Sequence, residues 1–260
     1  MSISVNPDWW RTLFDEIYLV TDKRSVDNID ITRHEIDILG RILPLASDAR
    51  ILDLCGGQGR HTLELCRRGY KNCTVLDYSR PLLSRGHGDA LRQNLPVRFI
   101  QGDARSLAID TARIDHVLIL GNSLGYLADQ DADLQILREC QRVLAARGWL
   151  LLDVTDGGAV RRQMTPNAWH EIDGEVVVCR EREIRDGCVC AREMVLHKSR
   201  GLIRDQNYRI RLYSANDLTA IVAEAGFTDI QQHDPQSAEL ARGQDVGCMQ
   251  QRLLISARKP

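Results

Sequence analysis

Asp53, Gly57, Gly59, Asp77 and Asp103 are the residues whose types and spacing could do chemistry, and together they outline a nucleoside site. An apolar run from Arg50 to Leu54 stops at Cys55-Gly-Gly-Gln-Gly59, and a helical pattern begins at Arg60. A strand, a tight glycine turn and a helix N-terminus bring backbone N–H groups close to a bound ligand. Gly57 and Gly59 leave no Cβ in the way of a cofactor lying against the main chain. The dinucleotide fingerprint asks for a third glycine at position 62, where the chain has Thr62. That departure argues against NAD and FAD. A second apolar run, Cys73 to Leu76, ends in Asp77, which is placed to accept hydrogen bonds from both ribose hydroxyls of an adenosine. A third, Val97 to Ile100, runs into Gln101-Gly-Asp103-Ala104-Arg105. There Asp103 could take an adenine amino group, with the neighbouring backbone N–H groups of Ala104 and Arg105 near a ring nitrogen. A fourth, Ile114 to Leu120, ends in Gly121-Asn122-Ser-Leu-Gly-Tyr126.

Each feature has a plainer reading by itself. A glycine turn after a strand is common in α/β proteins, Asp77 could cap a helix, and Asp103 could close a turn. Three of them at successive strand ends, in this order, converge on a ligand site. In order and spacing they resemble the class I S-adenosylmethionine (SAM)-dependent methyltransferases, from about Ile51 to the C-terminus. The resemblance implies an α/β fold with a Rossmann-like, doubly wound, seven-stranded sheet. It implies SAM as cofactor and S-adenosylhomocysteine as product. Cofactor contacts then fall to Asp53, Gly57, Gly59, Asp77, Tyr78, Asp103, Ala104, Arg105, Leu120 and Asn122. Cys55 stands in the cofactor turn where relatives most often carry glycine.

The elements that must position these residues follow from periodicity. Pro7 to Val20 is amphipathic and carries Trp9, Trp10, Phe14 and Tyr18, and Asp30 to Leu45 reads as a second helix. From Ile51 to Val154 a strand–helix pattern repeats five times, which implies a parallel sheet with right-handed crossovers. Helices are expected over Arg60–Arg68, Pro81–Gln93 and Asp131–Arg147, with Gly148 to Asp153 as the fifth strand. The period then changes. Glu175 to Ile184 and Cys188 to His197 flank Asp186-Gly187, a two-residue hairpin signal. That turn sets Glu181 opposite Arg192 and Arg180 opposite Glu193, two pairs of opposite charge. A third strand, Ile203 to Tyr213, completes an antiparallel sheet. A helix over Asn216–Ala225 and strands over Thr228–His233 and Met249–Ala257 return to the core. The expected organisation is an N-terminal helical lid over 1–48, a cofactor-binding core over 49–156, an antiparallel β insertion over 157–213, and the C-terminal part of the core sheet over 214–260.

The small-molecule branch of the family, including glycine N-methyltransferase and the amino-sugar N-methyltransferases, is similar in three further respects. These are an aromatic N-terminal segment over the cofactor, a Gly-Asn turn ending in an aromatic after strand four, and an insertion after strand five over the acceptor. Nucleic-acid amino-methyltransferases carry an Asn/Asp-Pro-Pro-aromatic turn instead, and Asn122-Ser-Leu-Gly has no proline. The resemblance places Trp10 and Tyr18 at the cofactor, since an aromatic face suits a sulfonium, and makes Arg33 the partner of the cofactor's carboxylate. Trp9, Tyr126, Trp169, Arg209, Arg211 and Tyr213 are the expected acceptor-binding residues. Alternation puts Arg209, Arg211 and Tyr213 on one face of their strand and Tyr208 with Ile210 on the other; either face could line the pocket. Tyr18 and His170 are the candidate catalytic groups, although an amine that arrives neutral needs no strong base.

Composition agrees with an ordinary globular protein. The chain has 260 residues, is 43% hydrophobic and 27% charged, and carries a formal net charge of −2. It lacks the basic stripe of a nucleic-acid enzyme, any apolar run long enough to span a bilayer, and a signal-peptide start. The expectation is a cytoplasmic protein, monomer or homodimer, with no nucleic-acid or membrane partner. The eight cysteines show no C-x-x-C pair and read as free thiols, with no metal ligands among them. The expected function is SAM-dependent methyl transfer to a small molecule, with an amine or nitrogen heterocycle of biosynthetic origin favoured. O-methylation, a macromolecular acceptor and a non-catalytic SAM-binding protein are the alternatives.

Overall fold

The N-terminal helical stretch is broken where Asp15 interrupts it. In the computed structural model, which describes residues 2–129, 131–234 and 251–260, the expected helix over Pro7 to Val20 is two pieces, α1 (Trp10–Leu13) and α2 (Glu16–Thr21). Asp15 adopts an extended backbone and its side chain caps α2 by accepting from the N–H groups of Ile17 and Tyr18. A short α3 (Lys23–Val26) leads to α4 (Ile29–Ile42), capped by Asn28 and followed by Pro44.

The core follows as β1 (Arg50–Leu54), α5 (Arg60–Arg67), β2 (Asn72–Asp77), α6 (Arg80–Arg92), β3 (Val97–Gln101), β4 (Ile114–Ile119), α7 (Asp131–Val143) and β5 (Leu144–Thr155). The five-fold strand–helix repeat is corrected at one place, because residues 102–113 join β3 to β4 without a helix. Leu107 and Ile109 are that segment's large apolar residues, and a spacing of two cannot form a helical stripe. After the core come α8 (Gly157–Gln163), β6 (Asn167–Ile172), β7 (Val176–Arg185), β8 (Cys188–His197), β9 (Gly201–Arg211), α9 (Ala215–Glu224), β10 (Thr228–His233) and β11 (Arg252–Arg258). Met249 and Gln250, expected to open the last strand, lie outside the described residues.

The large sheet has seven strands in the order β10-β11-β5-β4-β1-β2-β3. β1 to β5 run parallel, and β11 is antiparallel to both of its neighbours. Alternation divides the strand side chains between two cores. Leu52, Leu54, Val117, Ile119, Leu150 and Leu152 pack with Leu137 of α7 and Val222 of α9. Ile51, Leu118, Leu151 and Leu254 pack on the opposite face with Ile36 and Leu39 of α4 and Leu65 of α5. Asp53 and Asp153 share the second face, at the carboxyl ends of their strands, where a doubly wound sheet binds its ligands.

The insertion is a four-stranded antiparallel sheet, β6-β7-β8-β9, one strand more than the periodicity implies. Asp186 and Gly187 both have positive φ, 49° and 72°, as the primed hairpin turn demands. The turn sets the expected register, with Arg180 opposite Glu193 and Glu181 opposite Arg192. Arg180 and Glu193 form a buried ion pair, whereas Arg192 reaches across to Asp205 on β9. The N-terminal segment is stitched to this sheet: Ile3 N–H donates to Glu183, and Asn207 donates to the Ser4 carbonyl. Among the described residues the cysteines are free thiols, and no helix is long and apolar enough to cross a membrane.

Candidate active site

The carboxyl ends of the parallel strands, the N-terminal helices and the inner face of the insertion sheet enclose a cavity of about 980 Å³. Its floor is the glycine turn. Asp77 organises that turn, accepting the Gly57 N–H on Oδ2 (2.8 Å) and the Ser79 N–H on Oδ1 (2.7 Å). Burial pushes its carboxyl upward, against the opposing pull of these backbone donors. Each oxygen keeps acceptor capacity for a hydroxyl in the cavity. Asp53 is fully buried; its Oδ2 accepts from Thr62 Oγ1 (2.8 Å), while its Oδ1 has no hydrogen-bond partner among the described residues. Gly56 passes so close that a Cβ there would sit 2.6 Å from the Asp53 carboxyl carbon.

At one end of the cavity Asp103 and Ala104 lie beside Trp10 and Tyr78. Trp10 meets Tyr78 edge-on at 4.7 Å, and the guanidiniums of Arg11 and Arg105 lie 4.9 and 5.6 Å from its ring centre. Both Asp103 oxygens accept from Arg105, which holds that carboxyl below its ordinary range. Toward the other end, Tyr18 and Tyr126 stand with Trp9, Phe14 and Tyr208 as a continuous aromatic wall. Phe14 stacks on Tyr126 at 5.5 Å and meets Tyr18 edge-on at 5.1 Å, and Trp9 lies 5.3 Å from Tyr126. Burial, reinforced by the Asp22 charge, raises the Tyr18 phenol, so it is neutral at neutral pH. Leu120 and Asn122 complete the floor at the end of β4. Asn122 tolerates a φ of 64° and its Oδ1 accepts from the Thr155 N–H at 2.8 Å, tying β4's turn to β5.

Charged roof residues close the chamber. Arg180 on β7 and Glu193 on β8 are both buried and joined at 2.8 Å, Asp22 meets Arg180 at 3.2 Å, and Tyr208 and Ile210 project from β9. At the far side Glu35 of α4 meets Arg60 and His61 of α5, and Arg252 of β11 pairs with Asp153 of β5. Burial raises the Glu35 carboxyl, but Arg60 and His61 outweigh it and hold the group well below the usual carboxylate range. Phe14, Asp22, Arg60, Arg180, Glu193 and Tyr208 were not among the expected site residues. Alternation on β9 was the one signal available for Tyr208.

The structure brings Trp9, Trp10, Tyr18, Asp53, Gly57, Asp77, Tyr78, Asp103, Ala104, Leu120, Asn122 and Tyr126 to the cavity and leaves the other expected residues outside its lining. Gly59 is bare for packing, not for ligand approach, since a Cβ there would meet Val75 at 2.9 Å. Arg105 holds Asp103 from outside. Arg33 is on the solvent side of α4, near Asp30. Trp169 is 70% exposed on the outer face of β6, and alternation buries His170 opposite Val178. On β9 the inward face is that of Tyr208 and Ile210. Arg209 therefore turns out to the Ala128 carbonyl, and Arg211 and Tyr213 both engage Asp133.

Residues 51–148, which hold the glycine turn and β2 to β4, match the family model described as a methyltransferase domain. These residues form a class I SAM-dependent methyltransferase domain. The methyltransferase match extends to two curated relatives. YqeM of Bacillus subtilis, itself only provisionally assigned as a methyltransferase, is 32% identical over 110 residues, 42% of this chain and 44% of its own length. The glycine/sarcosine N-methyltransferase of Aphanothece halophytica is 31% identical over 105 residues, 40% and 39% of the two chains. The chain thus matches less than half the length of these relatives. The fold likeness is wider: the sugar N-methyltransferase KedS8 from a Streptoalloteichus species has a TM-score of 0.69 at 20% identity, covering 100% of this chain and 98% of that one.

The cofactor of this methyltransferase domain is SAM, and the residues present fit it. The unpartnered, buried Asp53 Oδ1 suits an ammonium, Asp77 retains acceptors for a ribose, and the aromatic wall suits a sulfonium.

Proposed function

We propose that the chain transfers a methyl group from SAM to a small-molecule acceptor, with an amine or ring nitrogen favoured. The observation that carries this reading is the aromatic lining of the roofed cavity. Of four tryptophans, six tyrosines and three phenylalanines in the chain, Trp9, Trp10, Phe14, Tyr18, Tyr78, Tyr126 and Tyr208 line one cavity. The N-terminal segment and the insertion sheet roof it together, through Asp22 to Arg180 and Gln206 to the Trp9 carbonyl. A roofed cavity of this size accommodates a small molecule. The names of the glycine/sarcosine and sugar N-methyltransferases support the same class of acceptor.

When bound, SAM supplies an electrophilic methyl on a sulfonium, and the reaction is a displacement in which the C–S bond breaks as the bond to the nucleophile forms. The residues of this chain hold the two reactants in line and exclude water, a contribution of up to about 7–11 kcal/mol. Trp9, Tyr18 and Tyr126 line the cavity, and an aromatic face turned to a cation there would favour it at roughly 0.5–2 kcal/mol. Nitrogen is favoured over oxygen by the arginine partners of three of the chamber's acids. Glu193 is engaged with Arg180 and Arg204, Glu35 with Arg60, and Asp153 with Arg252. Arg60 and His61 hold the Glu35 carboxyl well below its usual range, which makes it a weak base, and a hydroxyl needs its proton removed as it attacks. A neutral amine attacks with its lone pair and releases its proton afterwards.

Incubating the protein with methyl-labelled SAM and a fractionated extract tests this reading. Label in the small-molecule fraction, on nitrogen by mass spectrometry, is the expected outcome. Label in protein or nucleic acid would overturn it.

A further inference from the structure

We propose that Arg60, rather than Arg33, receives the carboxylate at the amino-acid end of the cofactor. The inference rests on the reading of the cavity as a SAM site. Three arginines line the cavity: Arg60, Arg180 and Arg252. Arg252 commits Nε and Nη2 to the two oxygens of Asp153, and Arg180 commits the same pair to Glu193. Arg60 is held differently. Its Nη1 donates to Thr32 Oγ1 (3.0 Å) and to Glu35, while its Nε and Nη2 make no hydrogen bond among the described residues. The side chain is only 14% exposed. A guanidinium carries five donors in a planar fork that matches a carboxylate, so one edge of this fork is anchored and the other is unused.

The surroundings specify an amino acid. An α-amino acid bears its ammonium and its carboxylate on one carbon, so its receptor must set an acid beside a base. Asp53 offers the bare Oδ1, and Thr62 of α5 holds its other oxygen. Arg60 and His61 both act electrostatically on the Asp53 carboxylate, and Arg60 also acts on Tyr18. Helix α4 contributes the anchor instead of the cation. Thr32 and Glu35 lie on its inner face and grip Arg60, while Arg33 faces solvent at 56% exposure. Glu35 is in turn shared with His61 and with Arg252 at 3.8 Å, so two guanidiniums converge there and a second anion is tolerated.

The test is calorimetry with two ligands, S-adenosylhomocysteine and its decarboxylated analogue, which keeps the ammonium and lacks the carboxylate. Arg60→Gln is expected to lose roughly 10- to 150-fold in affinity for S-adenosylhomocysteine, with the analogue little changed. Arg33→Gln is expected to leave both unchanged. Equal losses for the two ligands, or a loss confined to Arg33→Gln, would overturn the assignment. Binding of the analogue doubles as a check that the variant is folded. Should Arg60→Gln not fold, Arg60→Lys keeps the charge but loses the fork, and a wild-type ratio between the two ligands there would also sink the idea. Wild-type protein that binds neither ligand would overturn the SAM reading itself, an outcome separate from any result on the variants.

Discussion

Asp15 and Arg204 tie the lid to the roof. The Asp15 Oδ1 that caps α2, accepting from Ile17 (2.9 Å) and Tyr18 (3.1 Å), is the same atom that receives the Arg204 guanidinium from β9. The orientation of α2, and so of Tyr18, is therefore set by the insertion sheet. Arg204 is 5% exposed and also faces Glu193 at 3.5 Å. Replacing it by alanine removes the cation shared by Asp15 and Glu193, leaving Asp15 its backbone donors and Glu193 its pair with Arg180, and weakening such a buried pair costs up to about 3 kcal/mol. We expect Arg204→Ala to lower the urea midpoint accordingly. An unchanged midpoint would show that Asp15 holds the helix by itself.

Asp77 carries the ribose prediction. It is a buried acid whose oxygens already hold the turn through Gly57 and Ser79. Asp77→Ala should reduce affinity for S-adenosylhomocysteine by about 2–4 kcal/mol, because the ribose hydroxyls lose their acceptors. Calorimetry showing native affinity would remove Asp77 from the cofactor site.

Cys55 offers a stability gain. It sits at φ 59° in the cofactor turn, a region that costs a side-chain-bearing residue about 1–2 kcal/mol. Part of that is offset because glycine loses more freedom on folding. Cys55→Gly should raise stability by up to about 1 kcal/mol, read as a higher Tm. A lower Tm would mean that the thiol's packing outweighs the backbone strain.

Acid should destabilise the protein through Glu35 and His61. The folded Glu35 carboxyl lies below its ordinary value of 4.5, because Arg60 and His61 overcome the effect of burial. The stability it contributes is present above pH 4.5 and is lost as pH falls below it. Burial also depresses His61 below its ordinary 6.5, so the unfolded chain binds that proton more readily and stability falls as pH drops past 6.5. Stability curves from pH 7 to 3 should fall less steeply for Glu35→Gln than for the wild type. Parallel curves would show that other carboxylates control acid unfolding.

Local signals in the sequence carried most of the architecture. Asp186-Gly187 determined the register of a hairpin with ten-residue strands because a two-residue turn admits few geometries, and the apolar runs located the parallel strands. What escaped was less local. β6 lies between Pro166 and Asp173-Gly174 and is an edge strand, so it pairs on one side and shows a weak pattern. Alternation along β9 separated Tyr208 from Arg209 but could not say which face looks inward, since that depends on how the sheet docks on the core. The exposed position of Trp169 and the grip of Thr32 and Glu35 on Arg60 depend on tertiary packing in the same way. The place of Asp77 at the cavity was legible because it depends on the end of one strand.

The stitching of the first residues to the insertion sheet also constrains how the chain comes together during synthesis. Ile3 is 180 residues from Glu183, and Ser4 is 203 from Asn207. The parallel strands β1 to β5 emerge from the ribosome well before these partners exist. Ile3 and Ser4 must therefore wait for β7 and β9, although Trp10 and Phe14 can already meet Tyr78 and Tyr126. Contacts this distant in sequence are slow to form, so the late step in refolding should be the stitching of Ile3 and Ser4 to the insertion sheet.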